Sequence, residues 1–337
     1  MTTISASKAI AHSRDGLRPV NLRTDLAPLA DLIEVVFANR MDSSGRAIIS
    51  EMRTLSRVGA GLGLLARFNG ASLGLSLGYV WIGDGKLVGN VSIARADWPH
   101  EMGSAYTIYN VGVHPDYQRR GFASEMMQAS MDLIRQRGGH YALLQVETDN
   151  EGARQLYSRL GFVTERCWAT WRRQASTVVP HRLSDLPVHI TRRKHQDRIA
   201  EYKLARRLRP SARGGLGWLR PLYPGLFHPS WRKRLSKWFQ LQHREYLVIR
   251  SPDKARVLAS LWIESPLMIG STQLTLVVEP EYQGLYDDAL INTAVQRFGH
   301  ARLVIEHPSD ETDVSHVLKR YGFKVRREVH HMRWDAR

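Results

Sequence analysis

At 337 residues the chain is longer than one hydrophobic core usually grows, so two domains are expected. Hydrophobic residues make up 43% and charged residues 24%, ordinary values for a soluble globular protein, and the single cysteine, Cys167, excludes an intrachain disulfide and fits a reducing, cytoplasmic setting. The formal net charge of +16 is uneven: Thr191 to Lys237 holds fourteen Lys/Arg against Asp197 and Glu201, so the excess says little about the other half.

Along the chain, Ser5, Ser7, His12 and Ser13 leave the N-terminus without the apolar core of a secretory signal. Leu17 to Leu22 reads as a short strand, and Asp25 to Asn39 as a helix with Leu29, Ile33, Val36 and Phe37 at helical spacing. Val58 to Trp81 is the most apolar stretch, yet Arg67, Asn69 and several glycines break it, so no membrane span is expected. Leu77 to Ile82 and Lys86 to Ile93 form a hairpin about Gly83-Asp84-Gly85, and Tyr106 to Val113 is a strand stopped by His114-Pro115. Phe122 to Gln136 carries Phe122, Met126, Met127, Ser130, Leu133 and Ile134 on one side of a helix that Gly138-Gly139 closes. Tyr141 to Val146 is a buried strand, Gly152 to Leu160 a short helix, and Phe162 to Trp171 a last strand. The order β-α-β-β-β-α-β-α-β predicts a mixed α/β sheet with helices on its faces.

After a connector bracketed by Pro180 and Pro187, the pattern restarts. Leu274 to Gln283 echoes Tyr109 to Gln118, and Tyr321-Gly-Phe323 echoes Leu160-Gly-Phe162, at offsets of about 165 and 161. Two landmarks in the same order predict an internal repeat, with domains at 1–178 and 179–337.

At Gln118-x-x-Gly121-x-Ala123 a strand has ended and a helix begins. The first amides of a helix lack internal partners and carry the positive end of its dipole, so an anion is welcome there. Gly121 and Ala123 are small enough for a diphosphate to approach the backbone, and Arg119 and Arg120 add charge at the rim. An ordinary strand-to-helix turn on a basic protein accounts for the same six residues.

The neighbourhood decides between these readings. Val111-Gly-Val-His-Pro-Asp-Tyr-Gln-Arg-Arg-Gly-Phe-Ala123, then Asn150-x-x-Ala153-x-x-Leu156-Tyr157-x-x-x-Gly161-Phe162, resembles the two-part signature of the GNAT superfamily of N-acetyltransferases. The resemblance covers about residues 17 to 172, with its sharp motifs within 109 to 162. It implies acetyl-CoA or a related acyl-CoA as donor, and a splayed pair of strands, Tyr106 to Val113 and Tyr141 to Val146, around the pantetheine arm. It implies that the Val111-Gly112-Val113 backbone binds that arm and that Gln118, Arg119, Arg120, Gly121, Phe122 and Ala123 hold the pyrophosphate. Asn150, with Ala153 in its motif, is implied on the far side of the pantetheine.

Transfer to an amine has three needs. An alkyl amine with a pKa of about 10.4 must lose a proton to attack, the thioester oxygen wants a donor, and the departing thiolate wants a proton. By resemblance Val111 N–H supplies the donor and Tyr157 the proton, although Tyr157 also reads as a core aromatic beside Leu156 and Leu160. The base is not evident: Tyr106-Thr-Ile-Tyr-Asn-Val lacks the glutamate many relatives carry. Glu147 acting through water is a candidate, and equally a salt-bridging carboxylate; Tyr109 and Asn110 are placed to hold a water or the substrate amide.

In the second copy Gly284-Leu-Tyr-Asp-Asp288 replaces the cradle, Leu318 replaces Tyr157 and Glu311 replaces Asn150. Two carboxylates repel a pyrophosphate, so residues 181 to 337 are expected to pack against the first copy and shape an acceptor pocket. Arg206, Arg207, Arg209, Arg213, Arg232, Lys233 and Arg234, interleaved with Trp218, Trp231 and Trp238, read as a solvated basic face, or a wall attracting acidic substrates, rather than a nucleic-acid surface. His114, His140, His330 and His331 lack metal-ligand spacing, so no metal is expected. The expectation is a tandem acyltransferase moving an acetyl group to a primary amine by direct attack, its acceptor and oligomeric state unread. A non-catalytic acyl-CoA sensor is the first rival and a nucleic-acid-associated protein the second.

Overall fold

The computed structural model describes residues 15–38, 43–57, 77–96, 98–184, 186–217, 220–228, 242–266 and 270–336. Ser5 to Ser13, most of Val58 to Trp81, and Trp218, Trp231, Arg232, Lys233, Arg234 and Trp238 lie outside the described residues. Two compact units are present. The first comprises Met1–Leu144, Gln155–Phe162 and Arg333–Arg337, and the second Gln145–Arg154 and Val163–Met332.

The first unit contains β1 (Gly16–Pro19), α1 (Leu26–Phe37), α2 (Ser43–Arg57), β2 (Leu77–Gly83), β3 (Lys86–Arg95), β4 (Ala105–Val113), α3 (Phe122–Gln136) and the start of β5 (Tyr141–Glu147). Its strands lie in the order β1-β2-β3-β4-β5, antiparallel up to β4. β2 alternates half-buried and buried residues, whereas Val88 to Ile93 of β3 is buried on both faces, as a central strand requires. α3 buries Met126, Met127, Ser130, Met131 and Ile134. Each fully buried methionine there contributes about 1.5–3 kcal/mol of transfer free energy.

α2 has no counterpart among the predicted elements. Among its described side chains Ile49 and Met52 are the buried ones, against Leu26, Leu29 and Ala30 of α1, while neighbouring Ile48 is 50% exposed. A two-residue stripe is too short to read as helical periodicity.

β4 and β5 pair in parallel over three residues, Ala105↔Tyr141, Tyr106↔Ala142 and Thr107↔Leu143. From Ile108 onward the register of β4 continues against β3 alone. That is the expected splay.

The second unit holds β6 (Val163–Arg173), β7 (Ile190–Arg192), α5 (Asp197–Leu208), the single turn α6 (Pro224–Phe227), β8 (Gln242–Arg250), β9 (Val257–Pro266) and β10 (Thr272–Val278). α7 (Tyr286–Phe298), β11 (Leu303–Pro308), α8 (Thr312–Arg320) and most of β12 (Lys324–Asp335) follow. The strand order is β12-β6-β11-β10-β9-β8-β7. Here the repeat becomes structural. β10 and β11 also pair in parallel over three residues, Thr272↔Leu303 to Leu274↔Ile305. A 3₁₀ turn, Pro280–Tyr282, then leads into α7 as Pro115–Tyr117 leads into α3.

The sequence assigned β6 to the end of the first copy. It belongs instead to the second unit, antiparallel to β11 from Arg173↔Leu303 to Trp168↔Pro308, and Arg333 to Asp335 of β12 belong to the first. Strand propensity marks each segment as β but carries no information about which neighbour completes its ladder. Among the described residues no helix is long and apolar enough to cross a membrane.

Candidate active site

The site in the first unit is built on a backbone irregularity and a turn. Along the β3–β4 ladder, Asn90 pairs with Gly112 and Ser92 with Tyr109, so β4 carries one extra residue. Asn110 absorbs it with φ +51°, a left-handed conformation that asparagine tolerates better than most residues. Gly112 follows, and a Cβ there stands 2.9 Å from Val36 Cγ1. Its smallness is therefore also demanded by the packing of α1. Tyr109 is half-buried, and burial raises its phenol to about 12.

The turn runs from Gln118 to Ala123. Arg119 at φ +61° and Gly121 at φ +88° both adopt left-handed backbone, a geometry that turns successive amides into an anion-binding concavity. Holding a non-glycine residue such as Arg119 there costs about 1–2 kcal/mol, strain of the kind that gathers at functional loops. Gly121 is the N-cap of α3 and no side chain caps that end. Ser124 and Glu125 donate to the Gly121 carbonyl at 2.9 and 3.1 Å, so Phe122 and Ala123 amides precede the helical ladder. A Cβ on Gly121 meets nothing nearer than Glu125 Oε1 at 3.9 Å, so the concavity is open.

The side chains around it have defined tasks. Gln118 Nε2 donates to the Val113 carbonyl at 3.1 Å and closes the turn. Arg120 donates to the Asp116 carbonyl at 3.0 Å and lies 4.9 Å over the Tyr117 ring, so its charge is tethered beside the amides. The Phe122 ring stacks on Trp81 at 4.2 Å and 13°, and Tyr117 Oη donates to Asp84 at 2.6 Å. Asp15 in turn accepts from Asp84 and Gly85 amides at 2.9 and 3.1 Å. The β2–β3 hairpin thus anchors the turn at two points. Neither Trp81 nor Asp84 belongs to the motifs, and a tryptophan on a half-exposed strand position was the one signal for this role.

Tyr157 lies on the part of α4 (Glu151–Arg159) that belongs to the first unit. It is 6% exposed and packs 6.0 Å from Phe162, which lies 6.2 Å from Trp334. Burial pushes its phenol well above the ordinary value, so it is neutral across the working range. Of the two readings offered by the sequence, the core aromatic is the one its packing displays.

The remaining candidates fall in the second unit. Asn150 Oδ1 accepts from Ala153 N–H at 3.2 Å, which makes Asn150 the cap of α4 and explains Ala153 in the motif. Glu147 accepts from Arg327 Nε at 2.6 Å, and Arg327 Nη1 reaches Gln145 Oε1 at 2.9 Å. Of the two readings of Glu147, the ion pair is the one observed.

The counterpart turn of the second unit is occupied by carboxylates. Asp287 and Asp288 at the start of α7 are both fully buried. Asp288 accepts from Tyr321 Oη at 3.0 Å and Leu183 N–H at 3.1 Å, while Asp287 Oδ2 has no hydrogen-bond partner. Burial, with the Asp288 charge adding to it, raises Asp287 to about 6. A carboxylate raised from 3.8 favours the native state fully below pH 4 and loses that contribution as pH climbs through 6. Asp287→Asn is therefore expected to stabilise the protein by about 3 kcal/mol at pH 8, since one pKa unit is about 1.4 kcal/mol. Tm measured against pH checks this; an equal gain at pH 4 and pH 8 contradicts it.

Glu311, the counterpart of Asn150, is bound by Arg209, by Arg166 at 2.9 Å and by His307 at 2.9 Å. Burial opposes its ionisation, but the His307 hydrogen bond and the Arg209 charge outweigh it and hold Glu311 well below the usual carboxylate range. Arg209, assigned from the sequence to a solvated basic face, is 3% exposed inside this cluster, and Arg207 pairs with Glu279. The correction has a simple cause: composition counts cations but not the carboxylates that fold onto them. Among the described residues no group of three or more His, Cys, Asp or Glu is arranged to hold a metal ion.

Residues 63–162 match the model of the acetyltransferase (GNAT) family. Over 47 residues the chain is 43% identical to N-alpha-acetyltransferase 30 of Schizosaccharomyces pombe, covering 14% of this chain and 31% of that protein. It is 37% identical over 79 residues to mycothiol acetyltransferase of Clavibacter sepedonicus, covering 23% and 24%, and 38% identical over 56 residues to [ribosomal protein bS18]-alanine N-acetyltransferase of Escherichia coli K12, covering 17% and 38%. The matches thus span well under half of each of these relatives. A tandem GNAT protein from the clavulanic acid biosynthesis pathway superimposes at TM-score 0.52 and 11% identity, over 96% of this chain and 99% of that one. A GCN5-related N-acetyltransferase from Sphaerobacter thermophilus does so at 0.59 and 14%, over 95% of each. Residues 63–162 are a GNAT-superfamily domain, and the chain as a whole has the fold of a tandem GNAT protein.

Proposed function

We propose that this GNAT-superfamily chain is an acyl-CoA-dependent N-acyltransferase that moves an acetyl group from acetyl-CoA to a primary amine at one site, in its first unit. The observation that carries the reading is the open, left-handed Arg119–Gly121 turn at the uncapped end of α3, next to a splayed β4. The second unit repeats that geometry with carboxylates in place of the turn, which supports one site per chain.

The turn amides and the two arginines hold the diphosphate, and the stretch of β4 beyond Thr107, parted from β5, binds the pantetheine through the backbone of Val111 and Val113. An unprotonated amine attacks the thioester carbonyl carbon, Val111 N–H stabilises the oxygen that gains charge, and the carbon–sulfur bond breaks. Tyr157 gives its proton to the departing thiolate, and the proton lost by the amine nitrogen restores the phenol through solvent. The apolar surroundings that raise Tyr157 also raise the proton affinity of a thiolate beside it, so the transfer is balanced. With Glu147 paired to Arg327, amine deprotonation falls to solvent and to water held near Tyr109 and Asn110. Cys167 lies 3.1 Å from His330 Nδ1, and burial pushes its thiol up, which favours direct attack over a covalent intermediate. A cytoplasmic setting, where acyl-CoA is available, belongs to the same proposal.

A metabolite extract incubated with the protein and isotopically labelled acetyl-CoA should yield a labelled amide detectable by mass spectrometry. No labelled product from any amine source favours the sensor reading. Trp81→Ala should weaken acetyl-CoA binding by about two- to tenfold, the worth of an aromatic stack of about 0.5–1.5 kcal/mol, with kcat at saturation retained. Calorimetric titration checks it.

A further inference from the structure

Asn90 is an anomaly in its strand. It is 2% exposed on β3, within the otherwise apolar or small run Leu87-Val-Gly-Asn-Val-Ser-Ile93. A buried carboxamide in a central strand is tolerated when it finds hydrogen-bond partners, and its Nδ2 has two. Nδ2 donates to the Asn110 carbonyl at 2.9 Å and to Ser92 Oγ, itself 2% exposed, at 3.2 Å. The first bond crosses the ladder at the place where β4 carries its extra residue.

Where two residues of β4 face one of β3 the ladder is locally disrupted, and Asn90 Nδ2 supplies a donor to the Asn110 carbonyl there. The peptide between Asn110 and Val111 contains both that carbonyl and the Val111 N–H. These two groups lie in one rigid plane and point in opposite directions. A donor that holds the carbonyl toward β3 therefore turns the Val111 N–H away from β3, toward the side on which β4 has already parted from β5. Ser92 limits the swing of the carboxamide. Asn110 itself sits at the left-handed φ of +51°.

We propose that Asn90 is a positioning residue: through the Asn110 carbonyl it aims the Val111 amide at the thioester oxygen. This rests on the acyltransfer reading above. Asn90 touches no substrate; its effect is to pre-orient a donor whose value appears when charge develops on the oxygen.

The test compares wild type with Asn90→Asp, which keeps the shape and loses the donor, and reads acetyl transfer alongside binding of CoA and acetyl-CoA. Loss of one oxyanion donor predicts a fall in kcat of about 100-fold or more, with CoA affinity, set by the turn, within about threefold of wild type. A residue with a merely structural role would lower Tm and CoA binding together and leave kcat per folded molecule unchanged. Because a buried carboxylate can impair folding, Asn90→Ala is also measured in wild-type and Asn110→Gly backgrounds. Glycine adopts the left-handed conformation unaided, so the loss caused by Asn90→Ala should be about tenfold smaller there. Equal losses in the two backgrounds, or Asn90→Asp transferring at the wild-type rate, overturn the role given to Asn90. A wild type that fails to bind acetyl-CoA overturns the acyltransfer reading itself.

Discussion

Tyr157→Phe is expected to lower kcat for acetyl transfer by about 100-fold or more, the usual worth of a positioned general acid, while the KM for acetyl-CoA moves less than about threefold. The split follows from the site. Phenylalanine fills the space of a 6%-exposed ring packed on Phe162, so the core and the CoA-binding turn are retained. Only the hydroxyl is lost, and with it the proton for the departing thiolate. Because burial raises this phenol well above its ordinary range, its deprotonation does not limit activity between pH 6 and 9. A pH–rate profile over that interval should therefore have the same shape in wild type and variant, at different heights. A variant retaining more than half of the wild-type kcat assigns Tyr157 to packing alone.

Gly121→Glu is expected to abolish acetyl-CoA binding, a loss of about a thousandfold or more. Two effects add. A unit like charge about 4 Å from a phosphate costs about 4 kcal/mol at a near-surface effective dielectric of 20, and φ +88° costs a non-glycine residue a further 1–2 kcal/mol. Gly121→Ala isolates the second effect. Open space around the Gly121 Cβ position excludes a clash, so alanine should weaken binding only about five- to tenfold. Isothermal titration of the two variants separates charge from strain. Equal losses for Ala and Glu would mean that the diphosphate lies elsewhere.

The turn was legible because it rests on local sequence: small residues at 121 and 123, arginines at 119 and 120, and a strand and a helix on either side. The repeat was legible from its landmarks, and the three-residue parallel pairings of β4–β5 and β10–β11 give it structural form. What stayed hidden depends on long-range partners. β6 reads as a strand whichever sheet it joins, and it joined β11. Glu147 reads as a carboxylate at a strand end, and only the fold brings Arg327 to it. Arg209 counts as surface charge in a composition and is buried against Glu311. Asn90 carried a visible signal, a carboxamide inside a buried strand, but its meaning required the extra residue on β4 to be known. Trp81 and Asp84 support the turn from a hairpin that the motifs do not include.

The two units give the same scaffold opposite electrostatics. Before α3 lie two arginines and open amides, and at the start of α7 lie two buried aspartates, one with an unpartnered oxygen. Electrostatic attraction and repulsion of a diphosphate differ by several kcal/mol between such settings, which is the ground for proposing a single site per chain. The count of acetyl-CoA molecules per chain, by native mass spectrometry at saturating ligand, tests this most directly. One per chain is expected in the wild type and none in Gly121→Glu; two per chain, or one remaining in Gly121→Glu, contradicts a single site at the Gln118–Ala123 turn.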